Sequence, residues 1–144
     1  MLTLSGCDRG VLISEKWKWE DHQWVTGDKK SLVMVAADTT TVYQMDIEVN
    51  HEETYGYQNI YIRTLTTFPS GKEVTSVTSL ELINADGSWV GDHGNNGWSV
   101  ELPLQQRFTF PEAGAYTWTV EPFMRMDTIK GISSLKVTCR KVKE

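Results

Sequence analysis

Few side chains in this sequence are spaced for acid–base or metal chemistry. Asp46 and Glu48 place two carboxylates on one side of an extended stretch, a pairing that glycosidases use as acid and base or nucleophile. The same residues fall on the polar side of a run that alternates strictly, so they are read as the solvent side of a strand. His22, His51 and His93 lie in separate polar segments without a partner at metal-ligand spacing, and each is expected at the surface. The stretch Asp92-His93-Gly94-Asn95-Asn96-Gly97 is polar and glycine-rich, as a cation- or ligand-gripping loop would be, but is read as a plain connection between strands. There is no nucleophile elbow, no local serine–histidine–aspartate set and no phosphate-binding loop. The expectation is a protein that is not an enzyme and has no cofactor and no metal site.

The remaining reactive groups are two thiols, Cys7 and Cys139. Leu4-Ser5-Gly6-Cys7 has an aliphatic residue, two small residues and a cysteine, the order that a lipoprotein peptidase cuts before an acylated thiol. A complete secretory signal has a basic start and an apolar core of about 7–15 residues, whereas six residues precede Cys7 here. Residues 1–6 are therefore expected to be the remnant of a lipoprotein signal, with Cys7 the lipidation site. Cys139 sits in Leu135-Lys136-Val137-Thr138-Cys139-Arg140, where Leu135, Val137 and Cys139 share one face. It is expected to be a buried free thiol acting as a small hydrophobe. A disulfide between Cys7 and Cys139 is the alternative.

Six tryptophans complete the set. Trp17, Trp19 and Trp24 crowd the N-terminal region, Trp89 and Trp98 bracket the polar loop, and Trp118 reads as core. Exposed indoles stack on sugar rings, which makes Trp17, Trp19 and Trp98 a candidate aromatic platform for a glycan. Aromatics at loop ends also close the rims of a sandwich or anchor a protein contact, and that reading is preferred.

The elements that must position these residues are strands. Residues 41–50 put Tyr43, Met45, Ile47 and Val49 on one side and Gln44, Asp46, Glu48 and Asn50 on the other. The period repeats over 104–110 and 115–121. Residues 58–67 and 72–83 are strand-like, and 32–37 is a short apolar run. Turn signals separate them at 26–28, 69–71, 85–88 and 111–114. Only 127–130 has room for a short helical turn. Pro111-Glu112-Ala113-Gly114-Ala115-Tyr116 resembles the tyrosine corner of Ig-like sandwiches, with Trp118 where antibody domains carry a cysteine. About seven to nine strands predict an all-β fold, an antiparallel β-sandwich of Ig-like or jelly-roll type. At 144 residues one domain is expected, able to bury roughly 68–70% of its unfolded surface without staples. The division is 1–6 signal remnant, 7–24 anchor cysteine and N-terminal segment, and 25–144 a single β-sandwich. A net charge of −5, with 14 basic against 19 acidic residues, argues against a nucleic-acid partner.

Ordered motifs then resemble the GldH family of gliding-motility lipoproteins of the Bacteroidetes. They are Tyr55-Gly56-Tyr57-Gln58-Asn59-Ile60-Tyr61, Trp89-Val90-Gly91, Phe110-Pro111-Glu112-Ala113-Gly114-Ala115-Tyr116, and Met124-Arg125 followed by Ile129-Lys130-Gly131-Ile132. Ser133-Ser134-Leu135 departs from the Val-Gly pair expected next. The resemblance implies a non-enzymatic cell-envelope lipoprotein, periplasmic or outer-membrane, tied to the membrane through a lipid on Cys7. It also implies partners among the envelope proteins of the gliding and type IX secretion machinery. Tyr57, Asn59, Trp89 and Arg125 are the expected interface or structural markers. A glycan-binding lipoprotein of the cell surface is the alternative function.

Overall fold

A computed structural model describes residues 10–95 and 97–142, so Cys7 and the expected signal remnant lie outside the described residues. The described residues form eleven strands: β1 (Val11–Lys18), β2 (Gln23–Val25), β3 (Lys30–Ala36), β4 (Tyr43–His51), β5 (Asn59–Thr67), β6 (Glu73–Glu81), β7 (Asp92–Gly94), β8 (Gly97–Phe108), β9 (Gly114–Pro122), β10 (Thr128–Lys130) and β11 (Ile132–Lys141). They build an antiparallel sandwich. One sheet has the order β1-β11-β4-β8-β7, the other β3-β9-β5-β6, and a ribbon of β10 and β2 closes one end. Three of the eleven, β2, β7 and β10, are three residues long, too short to show a period of two. That accounts for the excess over the expected number.

Alternation does the positioning. Tyr43, Met45, Ile47 and Val49 of β4 are buried, as are Leu135, Val137 and Cys139 of β11 and Tyr116, Trp118 and Val120 of β9. The expected corner is present: the Tyr116 hydroxyl donates to the Glu112 carbonyl at 2.8 Å. Cys139 is a buried free thiol, and burial pushes its pKa up to about 12. It is therefore an inert packing group rather than a nucleophile.

Two expectations are corrected. Residues 127–130 do not make a helical turn. Thr128–Lys130 pairs with Gln23–Val25, because Ile129 and Trp24 are both fully buried and an extended pairing places them side by side. His51 is not a surface residue: it continues the inward series of β4 and is 0% exposed. The edge strand β1 lies within residues 7–24, the stretch expected to hold the anchor cysteine and N-terminal segment.

Candidate functional site

The two outer faces of the sandwich differ in chemistry, and each follows from the residues left over after the core is filled. On the β1-β11-β4-β8 face, one row across the sheet reads Lys16, Lys136, Glu48, Glu101. The next row holds Asp46, whose carboxylate accepts from Gln44 Nε2 at 3.0 Å and lies 3.8 Å from Arg140 Nε. Asp46 and Glu48 thus belong to a cross-strand charge lattice.

The opposite face keeps its charges, Arg63, Glu121, Glu73 and Glu81, at its margins and leaves an uncharged patch between them. Its rows read Val33, Thr117, Thr67, Glu73 and then Ser31, Thr119, Leu65, Thr75. The one ion pair, Arg63 Nη2 to Glu121 Oε2 at 3.1 Å, neutralises itself, and Arg63 lies over the Phe123 ring at 4.8 Å. Val33, Val35 and Val77 are 51%, 59% and 51% exposed on this face.

At the end of the sandwich away from Tyr43, the polar loop is pressed onto β4. Gly91 and Gly97 have φ of +102° and +120°, and a Cβ on either would stand 2.2 Å from a backbone carbonyl, of Ser99 and His51 respectively. Trp19 and Trp98 line a groove of about 650 Å³ there, together with Lys16, Lys18, Asn50 and Asp92. Trp98 also packs on His93 at 4.9 Å. Trp17 points to the other side of β1, since its neighbours Lys16 and Lys18 take the groove. Among the expected markers, Tyr57 and Trp89 both pack on Tyr55, at 5.8 and 6.4 Å between ring centroids. Asn59 is half-buried on β5 and donates to Ser79 Oγ at 2.6 Å, while Arg125 is exposed on the 123–127 connection.

Two of the histidines are paired with carboxylates. His22 bonds Glu52, which holds that carboxyl below the usual carboxylate range, and His93 pairs with Glu53 at 2.6 Å. Among the described residues no group of three or more His, Cys, Asp or Glu side chains is placed to hold a metal ion. His51 was missed as a buried group. Its Nδ1 meets the Glu52 carbonyl at 2.9 Å, and its ring packs against Trp89 at 4.5 Å. Burial depresses its pKa below 6.5, so protonation favours the unfolded chain. Its contribution to stability is complete above pH 6.5 and is lost as the pH falls through the lower folded value. Urea midpoints should therefore be flat from pH 8 to 7 and decline below 6.5, by at most about 1.4 kcal/mol per pH unit. A His51→Gln variant should lose most of that slope, and an unchanged slope would remove His51 as its cause.

Comparison with known proteins bears on the whole chain. The profile of the GldH lipoprotein family matches residues 12–137. A relative from Christiangramia forsetii, named "Gliding motility lipoprotein GldH homolog", is 24% identical over 138 residues, covering 94% of this chain and 83% of its own. Among solved structures, the delta-endotoxin Cry8Ea1 of Bacillus thuringiensis aligns with 84% of this chain and 19% of its own, at 10% identity and a TM-score of 0.46. The CBM22-1 xylan-binding domain of Paenibacillus barcinonensis Xyn10C aligns over 94% and 97%, at 14% identity and a TM-score of 0.40. Neither structural likeness carries an argument about function.

Proposed function

The chain belongs to the GldH lipoprotein family, and from that premise we propose a non-enzymatic, lipid-anchored protein of the cell envelope. It serves as a structural or accessory component of the gliding-motility and type IX secretion machinery, and it works through protein–protein contacts. The anchor is Cys7. Stable attachment takes two acyl chains, which an acylated N-terminal cysteine supplies.

The observation that carries the contact reading is an uncharged patch on the outer face of the β3-β9-β5-β6 sheet, made by Val33, Val35, Thr117, Thr119, Leu65 and Val77. The charged residues of this face, Arg63, Glu121, Glu73 and Glu81, lie at the margins of that patch, whereas a lysine–glutamate row crosses the opposite sheet face. Depletion of charge is what marks the buried core of an interface, because an unpaired charge there costs its full desolvation. The same sheet ends on β6, whose outer edge is open to strand addition by an extended partner segment. Neither mode needs reactive side chains.

The test is crosslinking of the lipidated, full-length protein in its native membrane, followed by identification of what co-purifies. Envelope components of the motility or secretion apparatus are the expected result. Their absence from the crosslinked material would overturn the assignment.

A further inference from the structure

The two sheets touch along β1 and β3 but part on the opposite side, between β6 and β8, around a cavity of about 420 Å³. That volume falls in the range of small-molecule sites, roughly 300–1,000 Å³. One wall is aromatic: Phe108, Phe110, Tyr116 and Phe68 form a continuous ring chain, with centroids 5.3, 4.9 and 5.1 Å apart in that order. The β5–β6 side carries a cluster of hydroxyls, Thr64, Thr66, Ser76 and Thr78. Along β5 the inward positions run Ile60, Ile62 and then Thr64 and Thr66; along β6 Leu80 gives way to Thr78 and Ser76. The aliphatic core thus changes to hydroxyls where the cavity begins. Among the described residues no charged side chain lines it. A site of this kind rejects phosphate, acidic sugars and ions, for which it offers no counter-charge. It accepts an apolar chain that carries uncharged hydrogen-bond acceptors.

Position narrows the class further. The Gly10 carbonyl accepts from Lys141 N at 2.7 Å, and Lys141 lies across from Tyr43, which lies across from Phe108. The cavity therefore sits at the end of the sandwich where β1 begins. Cys7 precedes Gly10 by three residues, a reach of at most about 11 Å. With Cys7 acylated, that end faces the bilayer.

We propose that the cavity between β6 and β8 binds a fatty acyl chain of a membrane glycerolipid, the chain lying on the aromatic wall and its ester carbonyl accepting from the Thr and Ser hydroxyls. For its orientation towards the membrane this rests on the anchored-lipoprotein reading; the chemistry of the cavity does not.

The full chain carrying Cys7→Ser is titrated with uncharged monoacylglycerols from monodecanoin to monopalmitin, below their aggregation concentrations, by calorimetry and by tryptophan fluorescence, since Trp118 also lines the cavity. Saturable binding of one chain per protein is expected, tightening about fourfold per added methylene until the cavity is full. Ser76→Trp and Val74→Trp, both at the exposed rim, should each weaken monopalmitin at least tenfold while the urea midpoint stays in place. Two such variants guard against one that fails to fold. In a second arm, phosphatidylglycerol vesicles should co-float the unplugged protein and not the plugged variants. No saturable binding, no dependence on chain length, or equal binding by folded plugged variants would overturn the site. Monopalmitin binding without co-flotation would overturn the membrane source. Labelling of Cys7 by a clickable palmitate analogue in cells tests the anchor separately, so failure of one leaves the other standing.

Discussion

Replacing Trp24 by alanine is expected to cost about 3–5 kcal/mol, the range for emptying a buried aromatic site. Trp24 is fully buried under the β2–β10 ribbon. It stacks on Trp19 at 5.0 Å, and its Nε1 donates to the Asp28 carbonyl at 2.9 Å. The Trp19 indole in turn donates to the Asp28 carboxylate at 3.0 Å, so both rings are held by one residue of the following turn. Alanine leaves a cavity, an unmatched carbonyl and an unsupported Trp19. The ribbon has little else to hold it, because β2 and β10 are three residues each and Ile129 is the one other fully buried side chain in them. Against a total stability of about 5–15 kcal/mol for an ordinary domain, the loss should lower the melting temperature by about 10–20 °C. Trp24→Phe keeps most of the packing and forfeits the hydrogen bond, and should lose about 1–2 kcal/mol. Chemical denaturation of the three proteins checks the order, and an alanine variant as stable as the phenylalanine one would contradict it.

This end of the molecule also shows where the sequence was legible and where it was not. The long strands announced themselves because one face meets the core and the other meets water, as in β4 and β9. Tyr116 and Cys139 were readable for the same reason: each lies on a clear alternation. His51 followed that alternation too, and the polar Glu52 and Glu53 beside it masked the signal. The ribbon gave no signal, since three residues cannot display a period and the partner strand lies a hundred residues away. The family was legible in ordered motifs, but its markers scatter in space: Tyr57 and Trp89 meet around Tyr55, while Asn59 is tied to Ser79. The inter-sheet cavity could not be read at all. Its walls come from strands that the sequence does not say will be neighbours, and its hydroxyls look like ordinary strand threonines until the register places them inside.

A lysine in place of Thr117 is expected to remove the crosslinked partners while leaving the fold intact. Thr117 lies in the uncharged patch of that face, between Val33 on β3 and Thr67 on β5, and is exposed. An exposed strand position pointing to water tolerates lysine within about 0.5 kcal/mol. Covered by a partner, the same ammonium would be buried without a counter-charge, at a cost of about 2–5 kcal/mol, which weakens association by roughly thirtyfold or more. Recovery of partners should fall accordingly, with the melting curve unmoved and Cys7-dependent membrane attachment kept. Lys136→Thr, a loss of charge on the opposite face, should change neither the fold nor the recovery. The lysine also separates the face from the cavity, because Thr117 points away from the core and acyl binding should persist in the variant. Undiminished crosslinking by Thr117→Lys would place the partner elsewhere, with the open edge of β6 the next surface to charge. Lost acyl binding would mean that the substitution disturbs the sheet itself. The pairing of lost partners with retained fold and retained acyl binding is the result that only a contact through this face produces.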